Sequence, residues 1–397
     1  MKTLYIYTQF LYPGSNSESI LLSDIVEFAT QSFKGQVICV CATKNDTDSE
    51  WYSAPNLKII RQNPPRFNKD NKVQRLLAFA IIAFRFGWHA LRNVKKDDSV
   101  LTVTLTPGFF MLLLYLLRCI RRFQYILLVY DVFPDNLIPG GIGEGKLWFK
   151  FLKGIFTNVY KKVDKIITIG CDMKERISWM THRIDNITII QNWADETVVK
   201  PKDKSSLEIT KKLGLQDKIV FAFIGNFSKA RSIENLLEIA DKIKNSLVRI
   251  LFLGKGLSLP LIQDYIKKKP NGKVIYGGAF SIQDQVYYLN ACDIALITLG
   301  KKMFGIGVPS KAYYNMACGK PLLVAAENET EIAKMTKAYH LGEVVPPCNS
   351  ERLLAAIEKM SNQHDLTELG NHVYHVFLDH FSKQQAAIKY HSFFNSL

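Results

Sequence analysis

Cysteine is scarce and unpatterned: there are seven in 397 residues, none in a C-x-x-C pair, and the nearest two are Cys39 and Cys41. An odd number of thiols, spread through apolar or mixed contexts, excludes a disulfide scaffold and reads as reduced and cytosolic. Neither G-x-G-x-x-G nor G-x-x-x-x-G-K-[ST] occurs, so the usual dinucleotide and ATP signatures are missing. The chain opens Met1-Lys2-Thr3-Leu4-Tyr5-Ile6-Tyr7, a buried-strand pattern with no long apolar h-region, and no signal peptide is expected. Long uncharged runs are equally few. Residues 99–117 are nineteen uncharged positions in a row, but Thr106-Pro107-Gly108 interrupts them with a turn signal. A strand Val100–Thr106 feeding a helix from Phe109 explains the run better than a membrane-crossing helix. Internal repeats and low-complexity segments are absent, and no Ser, His or Cys has the partners of a nucleophilic triad.

Apolar residues are plentiful. At 48 % hydrophobic and 12 % aromatic, the chain has ample mass to bury, which excludes a disordered protein, and its length predicts two domains. Lysine and arginine exceed the acids by 15, which favours an acidic partner: nucleic acid, an anionic membrane or a phosphorylated small molecule. The excess is concentrated. Residues 58–96 hold ten basic side chains and one acid, Asp70, around the apolar run Leu76–Phe84 with Phe86 and Trp88 beyond it. At a helical 100° per residue, Arg75, Arg85 and Arg92 share an arc of about 100° with Lys96. An interfacial membrane helix has this make-up, and so does a buried crossover helix with solvated charges. Arg118, Arg121 and Arg122, after a second apolar helix, favour the membrane. Nucleic acid explains the charge less well, since the aromatics of the window lie in an apolar run instead of a stacking surface.

Strand and helix patterns alternate along the chain. Strands are predicted at 3–8, 36–41, 57–60, 100–106, 125–130, 165–169 and 187–191, and helices at 17–33, 73–94, 109–121, 146–162 and 172–181. A lysine-rich polar stretch, Asp195–Ser206, reads as a linker. The alternation restarts with strands at 219–224, 248–253, 273–276, 294–298, 321–325 and 342–345. The fold class is therefore α/β: two doubly wound Rossmann-like domains, which would face each other across a cleft at their strand C-termini. The boundaries expected are 1–195 for an acceptor-binding domain carrying the basic helix, 196–206 for the linker, 207–381 for a donor-binding domain, and 382–397 for a helix returning to the first domain.

The chemistry of such a fold lies in the loops after the strands. Pro13-Gly14-Ser15-Asn16-Ser17-Glu18 is a small-residue turn that lets backbone amides approach a ligand. Ile224-Gly225-Asn226-Phe227-Ser228-Lys229-Ala230-Arg231 puts a glycine at a strand end and two cations close behind, a geometry suited to a diphosphate or to a plain turn with solvated cations. Leu253-Gly254-Lys255-Gly256 is a further glycine turn. The most informative segment is Phe304-Gly305-Ile306-Gly307-Val308-Pro309-Ser310-Lys311, running into a short helix that Gly319 ends. Free amides, a hydroxyl and an ammonium at that helix start form an anion cradle.

In their order, these segments resemble retaining, nucleotide-sugar-dependent glycosyltransferases of family 4, with the GT-B architecture. The carrying residues are Asp131-Val132-Phe133-Pro134-Asp135, Gln191-Asn192-Trp193-Ala194-Asp195, Gly225 to Arg231, and Val308-Pro309-Ser310-Lys311 through Met316-Ala317-Cys318-Gly319-Lys320-Pro321. The branch most similar contains bacterial N-acetylfucosamine transferases of surface-polysaccharide assembly. The resemblance implies that Lys229 or Arg231 neutralises the donor diphosphate, with Gly307, Pro309, Ser310 and Lys311 completing the cradle beside Gly225, Asn226 and Gly254. Gly277-Gly278-Ala279-Phe280 would face the nucleobase, Gly14 and Ser15 would close over the phosphates, and Asp131 would be the catalytic residue. The family's two glutamates fall on Ile306 and Tyr314, which leaves Tyr314 or backbone groups to hold the ribose, and a histidine common before the Asp131 position is Tyr130.

The resemblance further implies front-face attack by the acceptor oxygen, no metal or other cofactor, a UDP-sugar donor and a lipid-linked saccharide acceptor. It places the enzyme in the cytoplasm, peripherally on the inner face of an anionic membrane, with no nucleic-acid partner. Two other classes stay open: a non-catalytic sugar-nucleotide-binding scaffold, which the missing glutamates motivate, and a sugar-nucleotide epimerase on the same fold.

Overall fold

In the computed structural model the alternation folds into two parallel sheets. The structure describes every residue except 1, 15–16, 44–50, 66–70, 105–107, 228–232 and 364, together with the side chain of Lys72. The first sheet contains β1 (Thr3–Thr8), β2 (Gln36–Cys41), β3 (Leu57–Arg61), β4 (Ser99–Val103), β5 (Gln124–Val129), β6 (Lys165–Thr168) and β7 (Ile187–Ile189). Their order is β3-β2-β1-β4-β5-β6-β7. The second contains β8 (Ile219–Asn226), β9 (Val248–Lys255), β10 (Val274–Gly278), β11 (Ile294–Thr298), β12 (Leu322–Ala325) and β13 (Gly342–Val345), in the order β10-β9-β8-β11-β12-β13. Every pairing is parallel.

Near-continuous apolar strands of this kind are stable only when both sheet faces are covered. In β8, Val220, Ala222 and Ile224 enter one core cluster while Phe221 and Phe223 enter the other, as the two-residue period of a strand requires. Strand order reverses at β1/β4 in the first sheet and at β8/β11 in the second, the switch points at which doubly wound sheets bind ligands.

The chain divides into two compact units: Met1–Gln191 with Gly305–Gly307 and Ala386–Leu397, and Asn192–Phe304 with Val308–Gln385. Residues 192–195 go with the second unit because Ala194 bridges Ser382, accepting from the Lys383 amide at 2.9 Å. The stretch expected as a linker is anchored on that unit. Val199 is buried, and Asn290 accepts from the Lys202 amide at 2.9 Å and donates to the Lys200 carbonyl at 3.0 Å. The last helix, Lys383–Asn395, starts on the Glu196 carboxylate, which accepts from the amides of Lys383 (2.8 Å) and Gln384 (3.3 Å). Its later residues belong to the first unit, where Tyr390 packs 5.9 Å from Phe28 and Lys389 donates to Gln191 at 3.1 Å.

The basic, apolar helix of the first unit spans Lys72–Asn93, capped by Asn71, whose side chain accepts from Val73 and Gln74. It has two apolar faces. Ala78, Ile82, Ala83, Phe86 and Ala90 are buried, whereas Val73, Leu77, Ile81, Phe84, Trp88 and Leu91 are exposed at spacings of three and four. Residues 99–117 divide between β4 and a helix over Phe109–Arg121, and no helix among the described residues is long and apolar enough to cross a membrane.

Candidate functional site

In the second unit the site is built on the ends of β8 and β9. These strands run two residues past their predicted ends, with Gly225 in register with Gly254 and Asn226 with Lys255. The extension depends on glycine. Gly254 has φ +133°, and a Cβ there would overlap the Gly225 carbonyl oxygen. The turn beyond is closed by Phe227, whose amide donates to Lys255 at 2.9 Å and whose carbonyl accepts from Ser258 at 2.8 Å. The Tyr276 hydroxyl donates to the Gly254 carbonyl at 3.0 Å, which ties β10 to the same rim.

Lys311 crosses this rim. Its Cδ and Cε lie 3.5 Å from the position a Gly225 Cβ would take, and its ammonium is 5.5 Å from the centre of the Phe280 ring. Phe280 is stacked on Tyr288 with centroids 4.9 Å apart, and Ala279 beside it is exposed. The structure thus brings Gly225, Gly254, Phe280 and Lys311 together on one rim that also carries Asn226. Lys255, exposed beside Asn226, adds a cation that the sequence reading passed over, although it stands inside a recognised glycine turn.

The helix after Ser310 is a seven-residue segment, Lys311–Ala317, and its first amides are partly engaged: Ala312 donates to Pro309 at 3.1 Å and Tyr313 to Ser310 at 3.2 Å. A tight first turn therefore consumes donors that the sequence reading counted as free. Tyr314 lies in the second unit's apolar core at 4 % exposure. Ser15, Lys229 and Arg231 lie outside the described residues.

Asp131 belongs to the first unit, directly after β5. Its amide and that of Tyr130 both donate to the buried Thr104 hydroxyl, at 3.2 and 3.0 Å. The segment Gly305–Gly307 runs alongside: the Ile306 carbonyl accepts from Val132 at 2.9 Å and the Gly305 amide donates to Asp172 at 3.1 Å. Gly307 passes so close that a Cβ would stand 2.8 Å from Asp131 Oδ1. Ile306, at one of the family's glutamate positions, is buried by the same docking.

A second carboxylate was missed from sequence. Glu18 opens the helix Ser17–Ser32, and burial first, then the charge of Asp131, raises its pKa above the ordinary glutamate value. Gly14, in the preceding turn, donates its amide to the Leu11 carbonyl at 2.9 Å. Below Asp131, the fully buried Asp135 carboxylate accepts from Arg176 (2.6 and 2.9 Å) and from Lys153 (2.9 Å).

Residues 205–372 match the family model described as Glycosyl transferases group 1. Over 371 residues the chain is 29 % identical to a Pseudomonas aeruginosa protein named as the glycosyltransferase WbjE, covering 93 % of this chain and 92 % of that one. It is 21 % identical to an Escherichia coli K12 protein named as the colanic acid biosynthesis glycosyl transferase WcaI, with 72 % of each chain covered. Among solved structures, Anabaena HepE in complex with UDP superimposes with a TM-score of 0.74 at 15 % identity, covering all of both chains. The fold is GT-B. Chemically, a glycine-lined strand end crossed by one lysine can accommodate a phosphate group.

Proposed function

We propose that this protein is a retaining glycosyltransferase of family 4 that moves a sugar from a UDP-sugar to a lipid-linked saccharide in bacterial surface-polysaccharide synthesis, working without a metal at the cytoplasmic face of an anionic membrane. Lys311 over Gly225, beside the Phe280–Tyr288 stack, carries the reading: an ammonium above a side-chain-free strand end suits a diphosphate, and an aromatic platform suits a nucleobase. HepE, solved with UDP, supports the nucleotide. WbjE and WcaI, named as glycosyltransferases, support the reaction, and the second of those names supports the polysaccharide.

In the reaction, the bond from the anomeric carbon to the diphosphate oxygen breaks and its electron pair stays with the phosphate. The acceptor oxygen bonds to the same face of that carbon, and its proton passes to the departing phosphate. Lys311, with Lys229 or Arg231, stabilises the charge that develops on the leaving group. Asp131 orients the acceptor hydroxyl and supports the positive charge developing on the sugar ring. The N-acetylfucosamine branch, resembled in sequence, suggests an N-acetylhexosamine as the sugar carried.

The test incubates pure protein with UDP-sugars and a lipid-linked saccharide. UDP release that requires the acceptor, with extension of the lipid, is expected. Donor isomerisation without acceptor would identify an epimerase, and donor binding without turnover would identify a scaffold.

A further inference from the structure

Resting on the lipid-linked acceptor read above, we propose that three neighbouring helices of the first unit form one membrane-inserting face, with Trp148 and Phe151 reaching below the headgroups of an anionic bilayer. The helices are Lys72–Asn93, Phe109–Arg121 and Leu147–Lys162. They pack side by side: Leu113 lies 3.2 Å from where a Gly87 Cβ would stand, and the Phe156 ring fills the space at Gly108, which caps the second helix.

Each of the three is apolar on both sides. In the second helix Phe110, Met111, Leu114 and Leu117 are buried, while Phe109, Leu113, Leu116 and Ile120 face outward at spacings of four, three and four. In the third, Phe149, Phe156, Val159 and Tyr160 are buried, while Leu147, Trp148 and Phe151 are 82, 48 and 72 % exposed. With the exposed stripe of Lys72–Asn93, three adjacent helices keep an outward face of leucine, isoleucine, phenylalanine and tryptophan. A monomer in water sheds large contiguous apolar surface unless something covers it.

Charge identifies the cover. The three helices contain ten lysines and arginines and no aspartate or glutamate; two of the ten, Arg118 and Lys153, pair with Asp164 and Asp135 outside them, which leaves the excess strongly positive. Two guanidinium groups are held at the edge of the first stripe: Arg85 donates to the Asn63 carbonyl at 2.7 Å, and Arg92 lies 4.4 Å from the centre of the Trp88 ring. Apolar stripes with cations on their rims match a bilayer surface, with side chains among the acyl chains and cations among the phosphates. A second copy of the chain fits poorly, because a two-fold contact would set cations against cations. None of the helices is long and apolar enough to cross a membrane, so the face lies in the interface plane.

The experiment floats the full-length protein with vesicles of phosphatidylcholine alone or mixed with phosphatidylglycerol, at low and high salt. Wild type is expected to float with the anionic vesicles, less at high salt but measurably, and brominated acyl chains should quench its tryptophan emission. Phe151→Glu should lower the bound fraction about tenfold, and Trp148→Phe should lose part of the quenching. Ile120→Glu, on the neighbouring helix at a residue 77 % exposed, repeats the test should Phe151→Glu fail to fold. Wild type staying unbound, both glutamate variants floating like wild type, or a wild-type dimer that Phe151→Glu splits without vesicle binding would each overturn the proposal. Transfer to a water-soluble acceptor is measured alongside. Vesicle binding without transfer defeats the catalytic reading alone, and transfer without vesicle binding defeats the membrane face alone.

Discussion

Lys311 is the residue on which the donor reading turns. A charge-assisted contact to phosphate contributes about 1.5–3 kcal/mol, and a tenfold rate change corresponds to about 1.4 kcal/mol. Lys311→Ala should therefore lower kcat/KM about 10–100-fold while the melting temperature moves little, because the side chain is half-buried on a rim and outside the apolar core. Steady-state kinetics with saturating acceptor checks this, and near-normal turnover would remove Lys311 from the site.

Glu18 makes a different kind of claim. Its pKa is raised by burial and by Asp131, so the folded state binds this proton more tightly than the unfolded chain does. That contribution to stability is complete below the ordinary glutamate range and is lost as pH rises through the elevated value. Glu18→Gln, which cannot ionise, should stabilise the protein relative to wild type at neutral pH, and the gain should vanish in acid. Denaturation midpoints measured across that range decide it; a gain independent of pH would mean that the carboxylate is not titrating in the fold.

At the scale of elements, what could be read ahead of the structure depended on whether the signal was local. The thirteen strands among the described residues follow from apolar runs bounded by turn residues, and the doubly wound architecture follows from their alternation with helices. Rims were harder. Nothing near Ile224 or Leu253 shows that β8 and β9 each continue two residues, because the reason is a close approach of Gly254 to Gly225 across the sheet, 29 positions apart in sequence. Glu18 and Asp131 were invisible as a pair for the same reason, being brought together by β1 and β5 and not by spacing. The helices 109–121 and 147–162 were legible as helices but not in their facing: each has apolar residues on more than one side, and sequence cannot tell which of them the fold covers.

The Asp135 cluster is the element-scale case with the largest expected cost. Its carboxylate is fully buried and joins the segment after β5 to Lys153 and to Arg176, which sits on the helix Cys171–Thr181. Asp135→Ala deprives a guanidinium that is only 19 % exposed of its carboxylate, a change that costs about 3 kcal/mol or more. Thermal unfolding should shift down by several degrees. Because Asp135 lies four residues from Asp131, transfer should also fall, and it should fall further than in Asp135→Asn, which keeps the side-chain volume. Equal activity in both variants would separate this cluster from the placement of Asp131.

Taken whole, the molecule has two units with separate sheets, and the phosphate- and base-binding groups proposed here lie in the second. A ligand stabilises the state it binds by RT ln(1 + [L]/Kd), or about 2.7 kcal/mol at a hundredfold excess over Kd. UDP alone should therefore raise the melting of the second unit, while any separate transition of the first stays where it is. The chain passes from one unit to the other several times, at 191–192, on both sides of Gly305–Gly307 and within the helix Lys383–Asn395, so the two transitions should lie closer together than those of domains joined by a single linker. Calorimetry with and without UDP measures both effects. Lys311→Ala should abolish most of the shift, whereas Phe151→Glu, whose side chain stands on the exposed helices of the first unit, should leave it intact. If UDP instead moved only the transition of the first unit, the glycine rim of β8 and β9 would not be the donor site, and Lys311 would lose its assigned role even if the enzyme proved to be a transferase.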